Sequence, residues 1–129
     1  MTAPNNCRYL ETHEWARKDG DIVVIGITDH AVSQLGELVF CKFNKKAGDR
    51  VAAHESFGEI ESVKAVSDIN SPVNGTVVEV NNSVPDALHL VQQDPFQSGW
   101  MLRVKPDANS GFDTLMDAAS YEKHAATEH

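Results

Sequence analysis

Cysteine is scarce in this chain. Only Cys7 and Cys41 occur among 129 residues, with no C-x-x-C spacing, so there is no disulfide framework and reduced thiols are the expectation. Positive charge is also in short supply. Eleven Lys plus Arg stand against 19 Asp plus Glu, a formal net charge of −8. That balance argues against binding nucleic acid or anionic membrane and suits partners with basic docking surfaces. No apolar run approaches the roughly 20 residues of a membrane-spanning helix. The opening MTAPNNCRYL has neither the charged-then-apolar order of a signal peptide nor an Arg-rich amphipathic presequence. Cytoplasm is the expected compartment, or the mitochondrial matrix for a mature eukaryotic form.

Catalytic signatures are missing too. The six histidines (His13, His30, His54, His89, His124 and His129) form no H-E-x-x-H or other close ligand pair, so structural and surface histidines are expected and no metal. There is no G-x-S-x-G elbow, phosphate-binding glycine loop or Cys/His nucleophile signature. The sequence therefore points to a non-catalytic protein.

What the chain has in quantity is short β-rich segments separated by turns. Residues 8–10 and 14–17 read as short strands, Asp19-Gly20 as a turn, and residues 22–27 as a buried strand of branched apolar side chains. Thr28 or Asp29 can cap a short helix over residues 29–35 that places Ala31 and Leu35 on one face and stops at Gly36. Residues 38–43 return to strand and residues 44–49 form a polar turn. Residues 81–89 read as a loop containing Pro85, and residues 100–104 as a closing strand. Residues 113–124 carry Leu115, Met116 and Ala119 at helical spacing, predicting short C-terminal helices on the sheet, with the last residues frayed. The whole length, 1–129, is read as one mainly β domain, a sandwich or flattened barrel.

The most informative stretch is residues 58–75, GEIESVKAVSDINSPVNG. Two short strand segments flank Lys64, and the Asn74-Gly75 turn leads to another strand at residues 76–80. This predicts a carrier hairpin over 58–75 with Lys64 at its tip. A lysine held out on a rigid turn is what a covalent swinging-arm carrier needs. Read from spacing alone, an ordinary solvated turn lysine is the commoner case.

ESVKAVSD resembles the lipoylation motif of the glycine cleavage system H protein family. So do Tyr9 with Thr12-His13-Glu14-Trp15, the segment Ile25-Gly26-Ile27-Thr28-Asp29-His30-Ala31, then Leu35-Gly36-Glu37 with Val39-Phe40, Ser71-Pro72-Val73-Asn74-Gly75, and Asp94-Pro95-Phe96 with Gly99-Trp100. The chain departs from the family in a slightly longer 44–49 loop without its usual proline, in the position of Pro85, and in Gln34, where some relatives carry histidine.

The resemblance implies the barrel-sandwich hybrid fold of biotinyl and lipoyl carriers. It implies covalent lipoate on Lys64, with Glu61, Ser62, Val63 and Ala65 recognised by a lipoate ligase or a lipoyl or octanoyl transferase. It implies an aminomethyl group carried from the pyridoxal-phosphate glycine decarboxylase to the tetrahydrofolate-dependent aminomethyltransferase, and reoxidation by dihydrolipoamide dehydrogenase. By position, Thr12, Glu14 and Asp68 match a cleft that shelters the loaded arm. Without the resemblance, Glu14 reads as an exposed surface acid. A monomer is expected. Three alternatives stand beside this reading: a lipoate relay protein with the same motif, an unmodified β-scaffold, and a biotin carrier. The last is disfavoured because Val63 and Ala65 stand where biotin carriers place methionine.

Overall fold

The computed structural model describes residues 3–127, so the predicted fraying of the last residues and His129 lie partly or wholly outside the described residues. Two sheets build the fold. The larger takes β1 (Arg8–Tyr9), β2 (Glu14–Asp19), β3 (Ile22–Ile27), β5 (Arg50–Val51), β8 (Gly75–Val80) and β9 (Leu102–Pro106), in the order β1-β2-β3-β9-β8-β5. The smaller is three-stranded, with β4 (Leu38–Phe43), β6 (Ser56–Ser62) and β7 (Val66–Asn70) in the order β4-β6-β7. Every named strand pairing is antiparallel. This is the mainly β barrel-sandwich architecture expected from the sequence.

Strand periodicity explains the packing. Successive β side chains point to opposite faces. In β3, Val23, Ile25 and Ile27 enter the main core between the sheets, while Val24 turns to a second cluster on the other side of the larger sheet. Both faces are therefore covered, which is why this strand is apolar throughout. In β2, Ala16 joins the main core and Trp15 the second cluster. Trp15 is anchored by its indole N–H, which donates to the carbonyls of Ile27 (3.0 Å) and Pro95 (3.2 Å).

Helix α1 (Asp29–Leu35) begins as the sequence predicts. The Thr28 hydroxyl accepts the Ala31 N–H at 3.1 Å, and Gly36 ends the helix at φ 80°. The predicted 81–89 loop instead contains a 3-10 turn, Val84–Asp86, with Pro85 in its first turn, followed by α2 (His89–Gln93), which the sequence reading missed. The C-terminal segment divides into a 3-10 turn, Phe112–Thr114, and α3 (Ala118–Ala126), capped by the Asp117 carboxylate on the Ser120 N–H. The closing strand begins two residues later than expected, at Leu102. Both cysteines are buried free thiols. No helix among the described residues is long and apolar enough to cross a membrane.

Gly26 lies opposite Trp15 in the β2–β3 ladder, and a Cβ there would stand 2.7 Å from the indole ring. Gly26→Ala is expected to lower unfolding stability by about 1–3 kcal/mol through overpacking, measured by urea denaturation. A change within experimental error would show that Trp15 is free to move aside.

Candidate carrier turn and cleft

Lys64 sits in the connection between β6 and β7, and its side chain is exposed. The antiparallel hairpin runs from Ser56 to Asn70, with Glu61 facing Val66 as the last ladder pair. Ser62 closes the turn. Its N–H donates to the Ala65 carbonyl at 2.8 Å, and its hydroxyl accepts the N–H groups of Lys64 (3.2 Å) and Ala65 (3.1 Å). Neither Val63 nor Lys64 takes a positive φ. The turn is thus not one of the mirror-image types that depend on glycine, and the serine hydroxyl satisfies its amides instead. A further strap holds the tip from the side: the Val63 N–H donates to the Glu37 carbonyl at 3.0 Å. The lysine stem passes beside Gly36, with Cε 3.8 Å from where a Cβ would stand. The backbone under Lys64 is pinned at four amides while its amine remains exposed.

The residues flanking the lysine divide by position. Glu61 is half-buried at its edge of the ladder, Val63 and Ala65 are exposed, and Ser62 is buried, its hydroxyl directed into the turn. Ser62 therefore shapes the tip rather than presenting a surface.

Glu14 is no surface acid. Its exposure is 1%, because the alternation of β2 turns it to the same side as Ala16, toward the interior. The Thr12 hydroxyl donates to Oε1, and the Asn70 backbone N–H donates to Oε2 at 2.8 Å. Burial pushes the Glu14 carboxyl up to about 7, against the lowering effect of these hydrogen bonds. Between Thr12 and Glu14, His13 adopts φ 79°. Its Nδ1 lies 2.8 Å from the Tyr121 hydroxyl of α3, which also meets the Thr28 hydroxyl at 2.7 Å. The C-terminal helix thereby braces the turn that brings Thr12 and Glu14 together.

Asp68 is exposed on β7, two residues before Asn70, and so shares its face of the strand. Strand rise puts Asp68 about 7 Å and Asn70 about 13 Å along β7 from Val66, the first strand residue after the turn. Thr12 and Glu14 are in direct contact, Glu14 is joined to β7 through Asn70, and Asp68 lies on the same strand between Asn70 and the tip. Sequence reading missed Asn70, which contributes a main-chain donor and has no residue signature. It also missed Tyr121, though a tyrosine three residues after Ala118 on a short helix marks a core-facing hydroxyl that needs a partner.

The expected pH effect follows from Glu14. Its folded value, about 7, lies above that of an ordinary glutamate, so its protonated form favours the folded state. That stabilisation is complete below about pH 4.5 and is lost as pH rises through about 7. Glu14→Gln lacks the titration. The stability of the variant minus that of wild type should therefore rise between pH 5 and pH 8, by on the order of 3 kcal/mol. Urea unfolding at both pH values measures it; a pH-independent difference would mean that Glu14 titrates normally.

Comparison with known proteins agrees with this geometry. The family model described as glycine cleavage H-protein matches residues 7–128. The mitochondrial glycine cleavage system H protein of Oryza sativa subsp. indica is 46% identical over 127 residues, covering 98% of this chain and 77% of that protein. The H protein of Anaeromyxobacter sp. strain K is 43% identical, with 95% and 94% of the two chains covered. The probable H protein of Natronomonas pharaonis is 47% identical, with 95% and 96% covered. The crystal structure of a glycine cleavage system H protein from Mycobacterium marinum superposes with a TM-score of 0.86 at 37% identity, covering 96% of this chain and 99% of that one. With its two-sheet fold, its exposed turn lysine and a match that runs almost end to end, the chain belongs to the glycine cleavage H-protein family and is a lipoyl carrier of the glycine cleavage system.

Proposed function

We propose that Lys64 is the lipoyl attachment point and that Thr12, Glu14 and Asp68 form the resting place of the loaded arm. The observation that carries the attachment is the Ser62-closed turn, which fixes the backbone of Lys64 and leaves its amine in solvent. Two other lysines near this sheet have acidic neighbours. Lys42 pairs with Glu59 at 3.7 Å, and the Lys45 amine contacts the Arg50 carbonyl and the Glu55 carboxylate. The exposed lysine on its pinned turn fits a long acyl group, since nothing on the tip need move to admit it. Bound lipoate supplies a dithiolane whose sulfurs accept a one-carbon amine and cycle between disulfide and dithiol.

The chain's own contribution is shelter and charge. An aminomethyl cargo bears an ammonium. The Glu14 carboxylate, fixed by Thr12 and Asn70, can pair with it in a place shielded from water, and Asp68 offers a second carboxylate nearer the tip. The cargo passes from a pyridoxal-phosphate glycine decarboxylase to a tetrahydrofolate-dependent aminomethyltransferase, and a dihydrolipoamide dehydrogenase restores the disulfide. Glu61, Val63 and Ala65 meet the enzyme that attaches lipoate, and Ser62 presents the lysine to it. The protein carries, and its partners perform the chemistry.

Peptide mapping after lipoylation is expected to find one modified residue, Lys64; a lipoyl group on Lys42, Lys45 or Lys46 would overturn the assignment. The cleft is tested separately. Glu14→Gln keeps the shape and removes the charge. Loaded protein freed of decarboxylase should lose ammonia about tenfold faster in the variant at pH 8, the equivalent of one charge-assisted hydrogen bond at its lower range. Equal decay would remove Glu14 from the resting place.

A further inference from the structure

Apolar side chains are unevenly distributed over the surface. Five large ones are exposed among the described residues, and four surround the lysine turn: Val39 (49%), Phe40 (43%), Val63 (67%) and Val66 (63%). The fifth, Val78, is on β8 of the other sheet. The cluster has a structural cause. The β4–β6 register slips between Leu38, opposite Ser62, and Phe40, opposite Glu61, so Val39 is an extra residue in a bulge. Regular alternation would turn one of two consecutive residues inward. The bulge lets both Val39 and Phe40 face solvent between buried Leu38 and Cys41. Across the ladder, Phe40, Glu61 and Val66 form one cross-strand row, since residues directly opposite share a face. The next row is Lys42, Glu59 and Asp68. This face of the smaller sheet is therefore apolar near the tip and acidic overall, with three carboxylates against Lys42.

We propose that the row Phe40, Glu61 and Val66, with Val39 and Val63, is the docking surface for the enzyme that acylates Lys64, and that Phe40 is its anchor. The proposal rests on the reading of Lys64 as the attachment point. The occupant follows from geometry. A partner that works on the far end of a long arm can dock anywhere within the arm's sweep. The acylating enzyme has no such freedom. The neutral Nζ must attack the carbonyl carbon of an activated acyl donor from about 3–3.5 Å. The amide C–N bond forms, the donor's leaving group departs with the electrons of the broken acyl bond, and the amine's proton passes to a base or to solvent. An active site brought that close must cover the turn and the side chains flanking it. It must bury Phe40, Val63 and Val66 while facing Glu59, Glu61 and Asp68, so the complementary surface is an apolar pocket rimmed by lysine or arginine. Aromatic anchors carry much of the energy in such contacts, and rim charges mainly steer association.

The test measures lipoylation of the full-length apo protein by a lipoate ligase with ATP and lipoate, following the mass increase on intact protein. Phe40→Ser and Val66→Ser are compared with Val78→Ser as the control, and thermal unfolding verifies that each folds. Phe40→Ser is expected to raise KM for the apo protein about tenfold or more with kcat nearly unchanged. Val66→Ser should give a smaller rise in KM, and Val78→Ser no change. Phe40→Ser protein driven to full lipoylation with excess ligase should then support the decarboxylase reaction as wild type does. Unchanged KM in both Phe40→Ser and Val66→Ser would overturn the docking surface. An equal loss with the decarboxylase would overturn the assigned occupant, and so would a wild-type dimer that Phe40→Ser dissociates in sedimentation. Failure of wild type to be acylated at Lys64 would instead remove the carrier reading beneath it, a result distinct from each of these.

Discussion

One buried carboxylate ties the two sheets together at the place where the carrier needs them joined. Glu14 belongs to the larger sheet and Asn70 to the smaller, and the hydrogen bond from the Asn70 N–H to Oε2 crosses between them. Placing an acid there has an energetic cost, visible in the rise of its proton affinity to about pH 7. An apolar residue would pack with less penalty but would leave the β7 amide without its acceptor and the cleft without a charge. The acid is held there by two hydrogen bonds, from the Thr12 hydroxyl and the Asn70 N–H, which offset part of its desolvation. The bracing by Tyr121, His13 and Thr28 belongs to the same arrangement: it fixes the turn from which the carboxylate enters.

The tip and the cleft obey opposite requirements. At the tip the main chain is rigid and the amine is solvated, so an attached arm is free from its first rotatable bond. At Glu14 the acceptor oxygens are buried and already oriented by Thr12 and Asn70, so a cation placed there would need little further ordering of the protein. Between them runs β7, with Val66 and Asp68 exposed along it.

Much of this was legible in the sequence, for local reasons. The strands around Lys64 and the Thr28-capped helix declare themselves through β-rich runs and an N-cap residue, both short-range signals. The continuous apolar run of β3 announced a buried strand, and the structure covers it on both faces. Other features depend on partners far along the chain. Glu14 looks like a surface acid until its neighbours Trp15 and Ala16 are seen to divide between two cores. The bulge at Val39 exists only relative to the facing strand. Helix α2 is five residues long and has no side-chain cap, so it left no start signal. Asn70 acts through its main chain, which no residue pattern reports.

The turn and the cleft also differ in how far apart in the chain their parts lie. The hydrogen bonds that shape the lysine turn are local, lying within the hairpin from Ser56 to Asn70 and the strap from Glu37. The cleft needs Glu14 to meet Asn70 across a separation of 56 residues, and His13 to meet Tyr121 across 108. The amides under the lysine thus find their partners within residues 37–65, whereas the turn that carries Glu14 is braced from α3. A C-terminally shortened chain would keep the hydrogen bonds of the lysine turn and lose the Tyr121 hydroxyl that holds His13 and Thr28.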